Sequence, residues 1–349
     1  MRIFYIPNNG DCSLSDLDKM AKIVSLCKRR GFIFQSSEIY GGLKSCYDYG
    51  PLGVELKRNI AAEWWQSMVT NRENIVGIDA SIMMHPKVWE SSGHLAGFSD
   101  PLVDCKNCKE RFRADKAPKK APGTSVEYKE GGKKKGKLIA GVVADCGYVC
   151  PVCGSTDLSE ERQFNGMFRA GMGPIDPVAE FLKDNYHKGM ELEEFKGKLD
   201  AAIASNAVYL RPETAQAMFV QFLNVQQTMS MKVPFGIAQS GKSFRNEIIT
   251  EHFIFRSCEF EQMEMEFFVE PGTQKAWMNY WKDSRLSWYK HFANEADSFR
   301  LRQHDADELA HYSDDCYDVE YLYPWGWDEL EGVASRTDYD LKKHAAGSG

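Results

Sequence analysis

The sequence lacks a long apolar run. None of its 349 residues fall in a stretch of about 18 consecutive apolar side chains, the length that crosses a lipid bilayer. Its first residues, MRIFYIPNNGDCSLSD, also lack the basic stretch and apolar segment that mark a secretory signal. Both absences argue against a membrane protein and against export. We therefore expect a soluble cytoplasmic protein with no membrane partner.

An excess of positive charge and internal repeats are also missing. Lys and Arg number 43 against 50 Asp and Glu, which gives a formal net charge of −7. Any nucleic acid would then have to be held by a local patch, because the chain as a whole does not attract phosphate. With 43% hydrophobic residues, the chain can bury a substantial core and is long enough for more than one domain.

Two amphipathic helices are predicted near the N-terminus. The first covers residues 13–30, where an apolar stripe follows a serine and an aspartate at capping-box spacing. The second is predicted in GPLGVELKRNIAAEWWQSMV, with Pro51 at its first position. Leu56, Ile60 and Trp64 recur there at intervals of four. This apolar face fits either the protein core or a subunit interface.

Strand patterns prevail in the second half of the sequence. They begin at residue 232 and are interrupted by a helix rich in Trp and Tyr at about 274–297. Residues 175–204 predict a polar helical insertion on the surface, and residues 116–138, rich in Lys, Gly and Pro, predict a solvated loop. Strands mixed irregularly with helices indicate an α+β fold on an antiparallel sheet.

Two cysteine pairs form the metal signal. Cys105 and Cys108 are separated by two residues, and so are Cys150 and Cys153 in the knuckle-like CPVCG. Each pair lets two thiolates meet one ion, and two pairs complete the tetrahedral sulfur shell typical of structural zinc. We expect a zinc site that joins the two ends of the lysine-rich segment. The alternative is four unligated cysteines.

Residues 244–268, FRNEIITEHFIFRSCEFEQMEMEFF, are predicted as one β-hairpin. Side chains two apart share a face of a strand, so Arg245 and Glu247 are expected to point the same way. One face of the second strand is expected to carry Arg256, Cys258, Phe260, Gln262, Glu264 and Glu266. Its other face is mostly apolar and is expected to pack on protein. Guanidinium groups suit phosphate, a ring suits a purine, and a carboxylate suits an ammonium, which together indicate a nucleotide bound beside an amino group.

The sequence resembles the class II glycyl-tRNA synthetases of the homodimeric type. FRNE…FRSCEFEQMEMEF is similar to motif 2 of that class, and GPLGVELKRNIAAEWW to its motif 1 helix, which builds the dimer interface in the family. RFRAD, YLRPETAQAMF, GKSFRNEI and ELEGVASRTDYDL match glycine-specific signatures. The resemblance runs from residue 17 to residue 341. It implies a class II synthetase-like antiparallel sheet flanked by helices, with a zinc-knuckle insertion.

The resemblance implies three regions. Residues 1–104 would hold the start of the catalytic domain with motif 1, and residues 105–160 the four-cysteine zinc-knuckle insertion with its lysine-rich loop. Residues 161–349 would hold the catalytic core with motif 2 and the helical insertion. Family members continue with a motif 3 strand and helix and a C-terminal anticodon-binding domain. Neither is found in this sequence, so we expect it to be C-terminally incomplete and its activity alone to be uncertain.

The family uses ATP and Mg²⁺ to activate glycine and then transfers it to tRNA(Gly). The resemblance implies that Arg245, Glu247 and Arg256 are catalytic, with Arg245 on the α-phosphate and Arg256 on the outer phosphates. Phe260 is expected to stack on adenine and Glu329 to bind Mg²⁺. The implied ATP site consists of Arg245, Asn246, Glu247, Phe255, Arg256, Ser257, Cys258, Glu259, Phe260, Glu329 and Leu330.

The resemblance also implies an amino-acid pocket. Its residues would be Arg113, Glu213, Phe260, Glu261, Gln262, Met263 and Glu264. Glu213 and Glu264 are the expected partners of the glycine ammonium, and Arg113 that of its carboxylate. Three alternatives stay open: Glu213 could be only a helix-start carboxylate, Arg113 could brace the metal knuckle, and Arg245 could form a surface ion pair with Glu247.

The implied partners are glycine, ATP, tRNA(Gly) and a second copy of the chain. For residues 116–138, contact with tRNA is the alternative to a merely solvated loop. Two other functions compete with glycine activation: a non-catalytic synthetase-like accessory protein that binds nucleic acid, and a sister class II synthetase for another small amino acid. An accessory protein would not need the arginines and glutamates of motif 2. The RPETAQ and FEQME segments argue against another amino acid.

Overall fold

The computed structural model describes residues 14–119, 129–130, 133–134, 147–186, 188–248, 252–310 and 312–349. Its contacts divide the chain into two compact units. Unit 1 comprises Met1–Ile82, Glu213–Ser243 and Glu259–Gly349, and unit 2 comprises Met83–Pro212 and Phe244–Cys258. The region boundaries implied by the resemblance stay a prediction. Among the described helices, none has the length and apolar character needed to cross a bilayer.

Helices and strands alternate irregularly along the described residues. The α-helices are α1 (Leu14–Arg30), α2 (Pro51–Trp65), α3 (Pro86–Ser91), α4 (His94–Gly97), α5 (Pro177–Asn185), α6 (Leu192–Ser205), α7 (Ala215–Val220), α8 (Phe222–Thr228), α9 (Gln274–Phe292) and α10 (Tyr339–Ser348). The strands are β1 (Ile33–Gln35), β2 (Tyr47–Tyr49), β3 (Ile75–Gly77), β4 (Met83–Met84), β5 (Ser99–Asp104), β6 (Arg111–Arg113), β7 (Lys129–Glu130), β8 (Lys133–Lys134), β9 (Arg162–Asn165), β10 (Arg169–Gly171), β11 (Ala207–Leu210), β12 (Phe235–Phe244), β13 (Glu259–Phe268), β14 (Phe299–Gln303), β15 (Asp315–Tyr323) and β16 (Gly326–Ser335). This mixture confirms the predicted α+β class.

Unit 1 is built on two three-stranded sheets and a short β1–β2 pair. One sheet has the order β13-β12-β3, and the other has the order β14-β15-β16. The strands of the second sheet are antiparallel, as predicted. In the first sheet β12 runs parallel to β3, a pairing that the sequence pattern did not predict. Apolar side chains such as Phe235 and Ile237 of β12 are fully buried and form the core under this sheet.

The apolar face of α2 divides between core and surface. Trp64 is buried and packs with Met68 and Trp281. Leu56 and Ile60, at the preceding positions of the same stripe, are 52% and 45% exposed. Of this apolar stripe, only Trp64 at the C-terminal end of the helix therefore belongs to the protein core. Helix α2 ends at Trp65 and continues as one π-helical turn over Gln66–Thr70, so the predicted helical span is confirmed but not as a single regular helix.

Helix α9 is shorter than predicted. The pattern extended the helix to residue 297, but α9 ends at Phe292 because Ala293 adopts an extended conformation. The predicted first helix is confirmed over Leu14–Arg30. The difference at α9 follows from the backbone at its end, since the aromatic side chains on their own do not mark a stop.

Unit 2 contains two small antiparallel sheets and a helical pair. The sheets have the orders β6-β5-β9 and β10-β11-β4. The predicted insertion at 175–204 is helical, and its helices α5 and α6 pack through Phe181 and Phe195, whose ring centroids lie 5.2 Å apart. Much of the lysine-rich segment, residues 120–128, 131–132 and 135–138, lies outside the described residues. Its contact with tRNA therefore stays a prediction.

Candidate functional site

The four predicted cysteine ligands converge in unit 2. Their sulfur atoms all lie within 4.8 Å of one another. The Sγ atoms of Cys105 and Cys153 are 3.6 Å apart, and those of Cys108 and Cys150 are also 3.6 Å apart. Zinc–sulfur bonds of about 2.3 Å in a tetrahedron place neighbouring sulfurs about 3.8 Å apart. The donor set and its spacing therefore fit a closed four-thiolate metal site.

Each cysteine pair lies in a backbone turn, and the two turns are of the same type. The amide of Lys109 donates to the carbonyl of Cys105 over 2.9 Å, and that of Gly154 donates to the carbonyl of Cys150 over 2.8 Å. Lys109 has a φ of 64° and Gly154 a φ of 69°, the left-handed region that favours glycine. Each turn directs its two thiols to the same side, so the sequence spacing C-x-x-C produces the geometry locally.

The cysteine cluster is fixed by the core of unit 2. Cys105 and Cys150 are buried and pack with Val103 and Phe112 of β5 and β6 and with Leu158. Two of the four sulfurs thus belong to residues that pack in the core of unit 2. The cluster confirms that the predicted residues come together.

The prediction of one continuous β-hairpin is wrong for the residues that connect its two strands. Strand β12 ends at Phe244 and β13 begins at Glu259, so Arg245 and Glu247 do not lie on a strand. Phe253–Phe255 form a 3₁₀ turn, and His252 and Phe253 have positive φ values of 56° and 62°. The assignment of faces by alternation therefore does not extend to Arg256 and Cys258, because both precede β13, which begins at Glu259.

Unit 2 holds the arginine part of the predicted ATP site. Arg256 donates to Glu247 through Nε and Nη2, over 2.8 and 2.7 Å to Oε2. Arg245 instead donates from Nε to the carbonyl of Pro212 over 3.0 Å, and its guanidinium lies 5.7 Å from the ring centre of Phe98. Glu247 therefore forms its ion pair with Arg256. The alternative of a surface ion pair between Arg245 and Glu247 is not observed.

The backbone of this segment is tied back on itself. The amide of Arg245 donates to the carbonyl of Cys258 over 2.9 Å, and that of Asn246 donates to Gly166 over 2.7 Å. The thiol of Cys258 lies 3.8 Å from the carbonyl of Glu247. The two ends of the segment that connects β12 and β13 are thus joined by a backbone hydrogen bond.

Arg113 is held by two aspartates. It lies at the end of β6, where Nη1 is 2.8 Å from Asp100 and Nη2 is 2.7 Å from Asp115. The hydrogen bond with Asp115, together with the charges of Asp100 and Glu247, raises the pKa of Arg113. Phe112, the preceding residue of β6, packs in the core of the cysteine cluster, so alternation along the strand directs Arg113 to the other face. The alternative that Arg113 braces the knuckle stays open. Its contact with a substrate carboxylate stays a prediction.

In unit 1, one face of β13 gathers the polar groups that alternation predicted. Gln262 accepts from the hydroxyl of Ser243 over 2.7 Å and donates to Glu264 Oε1 over 3.3 Å. Glu264 Oε2 accepts from the amide of Thr214 over 2.9 Å and from the Thr214 hydroxyl. The carboxylate of Glu264 is therefore held in one orientation by a segment 50 residues earlier in the chain.

The opposite face of β13 packs on protein. Met263, Met265 and Phe267 join the core around Trp64, as predicted. Glu261 forms an ion pair of 2.6 Å with Lys57 of α2, and Glu259 pairs with Lys242. Glu261 and Met263, both predicted to contact glycine, thus lie on the face away from Gln262 and Glu264. The run from Phe260 to Glu264 is divided between two faces, because a strand cannot present consecutive side chains to one ligand.

A cavity of about 650 Å³ opens along β13 and β16 within unit 1. Its polar lining includes Glu264, Glu266, Arg336 and Asp340. Glu213 lies near this group, and its carboxylate accepts from the side chain of Gln216 over 2.9 Å. We call the acidic residues Glu213, Glu264, Glu266 and Asp340, together with Arg336, the carboxylate cluster.

Hydrogen bonds connect the carboxylate cluster to two helices. The buried amide of Gln216 donates to Asp340 over 3.0 Å, and its carbonyl oxygen lies 2.8 Å from Nε2 of His344. Arg336 donates to Asp340 Oδ2 over 3.1 and 3.0 Å. Helix α7 and helix α10 are thereby held to one another by side chains that also set the charges around the cavity.

The charges of the cluster shift each other's ionisation. Burial is the largest cause that raises the pKa of Glu266, to about 8, and the other three carboxylates act in the same direction against Arg336. Burial lowers the pKa of Arg336, but the charges of Glu266, Glu213 and Asp340 outweigh it and raise the pKa above its usual value. One fixed cation thus stands among four acids.

Several members of this network were not predicted from the sequence. Gln216, Arg336 and Asp340 received no role, although all three stand in the RPETAQ and RTDYDL segments that carried the family resemblance. Glu266 was expected on the correct face but without a function. Only the family motifs could have indicated these residues, because nothing in their local sequence spacing places them beside Glu264.

The remaining predicted nucleotide residues lie on β16. Glu329 is paired in register with Glu320 of β15, next to a bulge between Val319 and Glu320. Leu330 is 39% exposed. The predicted ATP site is thus divided between unit 2, which holds Arg245 through Cys258, and unit 1, which holds the rest.

Comparison with known proteins identifies homologues over nearly the whole chain, although no family model matches it. Over 95% of its length the chain is 49% identical to the glycine–tRNA ligase of Treponema denticola and 48% identical to that of Geobacillus kaustophilus. The corresponding protein of Staphylococcus saprophyticus is 46% identical. The chain spans 62–66% of the length of these curated relatives. The predicted resemblance is therefore confirmed: this chain is a homologue of the glycyl-tRNA synthetases.

Proposed function

We propose that this chain carries the catalytic core of a glycine–tRNA ligase. Such an enzyme uses ATP to convert glycine to glycyl-adenylate and transfers the glycyl group to the 3′ end of tRNA(Gly). Homology over 95% of the chain supports the proposal. The observation that carries it is the orientation of Glu264 by Thr214 at the wall of a cavity that Glu266, Asp340 and Arg336 also line.

The carboxylate cluster suits the ammonium group of an amino acid. Glu264 is held rigidly by Thr214, and Glu213 is held by Gln216, so neither acid has to be ordered when a cation arrives. Arg336 offsets part of the negative charge and stabilises the cluster. A methyl group is worth only about 1–3 kcal/mol when apolar contact alone recognises it, so the exclusion of alanine must come from rigid walls.

Phosphate chemistry is assigned to the arginines of motif 2. The glycine carboxylate would attack the α-phosphorus in line, and pyrophosphate would leave while charge builds on the non-bridging oxygens. Arg245 would bind the α-phosphate and Arg256 the outer phosphates, with Phe260 stacked on adenine. Loss of one such preorganised contact costs about 3 kcal/mol, or roughly a hundredfold in rate. Glu329 would hold Mg²⁺, which supplies further positive charge to the phosphates.

The cysteine cluster is assigned to zinc. Four thiolates leave no position for a substrate, so the ion would be structural and would join the residues on either side of the lysine-rich segment. The mutual sulfur distances and the left-handed turns after each pair support this assignment.

Helix α2 is assigned to a dimer interface. Leu52, Leu56 and Ile60 are each about half exposed on one side of it. A row of apolar side chains on a helix surface is typical of a surface that meets another chain. We expect Leu56→Asp to convert a dimer to a monomer in analytical ultracentrifugation, and a wild-type chain that sediments as a monomer at high concentration would contradict the assignment.

Amino-acid-dependent exchange of pyrophosphate into ATP tests the catalytic proposal. The assay needs a panel of small amino acids, and both this chain and a version extended to the length of its relatives. We expect exchange with glycine only, and its loss in Glu264→Ala while ATP still binds. Glu193→Ala, an exposed acid in the first turn of α6, is the matched control. Normal glycine-dependent exchange in Glu264→Ala would overturn the pocket.

The same assay separates the competing functions. A non-catalytic accessory protein would show no exchange with any amino acid in the extended version, and a sister synthetase would respond to alanine or serine instead. The proposed activity would place the protein in the cytoplasm, since ribosomes consume its product.

A further inference from the structure

A second group of metal-binding side chains lies on the sheet β14-β15-β16 of unit 1. His304 directly follows β14, and its amide donates to the carbonyl of Cys316 over 3.0 Å. Gln303 pairs in register with Tyr317, which places His304 opposite Cys316 on the neighbouring strand. Asp318 is two residues further along β15 and therefore shares a face with Cys316. The three side chains come from adjacent strands and share one side of the sheet.

The ligand atoms of these three residues are close together. Their imidazole nitrogen, thiol sulfur and carboxylate oxygen all lie within 4.8 Å of one another. His304 Nε2 and Asp318 Oδ2 are 2.7 Å apart and share a proton in a hydrogen bond. Neighbouring N and O ligands of a tetrahedral zinc ion lie about 3.3 Å apart. An ion that replaced the shared proton would need only a small outward movement of the ring.

The strand opposite Asp318 carries no side chain at the paired position. Gly332 is its partner in register on β16. A Cβ on Gly332 would lie 3.3 Å from Oε1 of Glu329 and 3.8 Å from Oδ1 of Asp318. The absence of a side chain at Gly332 thus lets the carboxylates of Glu329 and Asp318 both lie against this strand. Glu329 is therefore a further acid beside the three side chains.

The surrounding charge favours a cation. The carboxylates of Asp318, Glu329 and Asp315 act electrostatically on Cys316. The guanidinium of Arg302 donates to both oxygens of Glu308 and is 3.9 Å from Asp318. Acidic groups therefore outnumber the cations at this position. A divalent ion would relieve that imbalance and bind the thiol as thiolate.

We propose that His304, Cys316 and Asp318 form a second metal site, which binds one divalent transition cation through three protein ligands and one open position. A sulfur, a nitrogen and an oxygen ligand suit zinc or cobalt, whereas magnesium and calcium prefer oxygen alone. The site is separate from the four cysteines of unit 2 and does not depend on the proposed aminoacylation activity. A His–Asp hydrogen bond beside an inert thiol is the competing interpretation.

Cobalt titration of the chain tests the site. The purified chain is stripped of metal under reducing conditions and titrated with Co²⁺, whose thiolate charge-transfer and visible bands report ligation by sulfur. We expect Cys316→Ser to bind one equivalent less Co²⁺ than the wild-type chain. His304→Gln and Asp318→Asn should weaken the same equivalent by at least the roughly 10–100-fold that the loss of even an outer-shell partner costs.

Cys27→Ser is the matched control, because Cys27 lies on α1 outside both ligand groups. It should bind as much Co²⁺ as the wild-type chain. Equal uptake by the wild-type chain and Cys316→Ser overturns the proposal. If Cys316→Ser does not fold by circular dichroism, His304→Gln decides, and unchanged stoichiometry and affinity in that variant have the same consequence.

Discussion

The cysteine cluster of unit 2 and the carboxylate cluster of unit 1 are assembled in opposite ways. Each cysteine pair is closed by a turn of four residues, and only the joining of the two turns, 42 to 48 residues apart, requires the fold. In the carboxylate cluster, Glu264 reaches Thr214 across 50 residues and Gln216 reaches Asp340 across 124. Local geometry thus dominates one cluster and long-range packing the other.

The clusters also differ in how their charge is balanced. Among the described residues, the four sulfurs face one another, and their ionised form needs an ion between them. The four acids of unit 1 have Arg336 among them and raise its pKa above the usual value. A closed metal site gives structure only when its ion is bound, whereas a cluster with its own cation can stay formed and receive a second one. This contrast fits a structural role for the first cluster and a binding role for the second.

The largest effect is expected when two cysteines of the cysteine cluster are replaced. We expect Cys105→Ser combined with Cys150→Ser to lose one equivalent of zinc and with it much of the stability of unit 2, since structural zinc contributes on the order of 10 kcal/mol. Metal content by mass spectrometry and protease resistance of residues 83–212 measure the effect. Cys27→Ser with Cys46→Ser is the control, and zinc retained in the first double variant would remove the assignment.

Removal of the internal cation should have the next largest effect. Arg336→Met leaves Asp340, which is 4% exposed, without its ion-pair partner. Breaking a buried pair in this way costs about 3–5 kcal/mol. Urea denaturation measures the free energy of unfolding. Arg58→Met, which removes an exposed pair with Glu55, should change it by less than about 1 kcal/mol. A similar loss in both variants would mean that the carboxylate cluster does not depend on Arg336.

The last expected effect is the pH dependence of Glu266. Its pKa of about 8 in the folded chain lies above its unfolded value, so the folded state binds the extra proton between pH 4.5 and 8. The contribution of the Glu266 carboxyl group to the free energy of unfolding is fully present at low pH and is lost as the pH rises through that window. Glu266→Gln should therefore gain stability relative to wild type from pH 5 to pH 9, measured by denaturation at each pH. Glu270→Gln is the control, and parallel curves for Glu266→Gln and wild type would contradict the shift.

Several elements could be predicted because they depend on near neighbours. The helices α1 and α2 followed from apolar periodicity, and the cysteine ligands from their spacing. The faces of β13 from Phe260 to Glu266 followed from alternation. The segment between β12 and β13 could not be predicted by alternation, because His252 and Phe253 adopt positive φ values and break the extended backbone. The roles of Arg245 and Arg256 came from the motif resemblance.

By itself the sequence determined which chemical groups are present and how they are spaced over a few residues: thiols in two turns, acids and amides on one face of a strand. Such features arise from backbone geometry that repeats every two to four residues. Only the tertiary structure decided that Glu247 pairs with Arg256, that Arg113 lies between two aspartates, and that Arg336 stands among four acids. Contacts of this kind join distant segments and depend on how the sheets and helices pack.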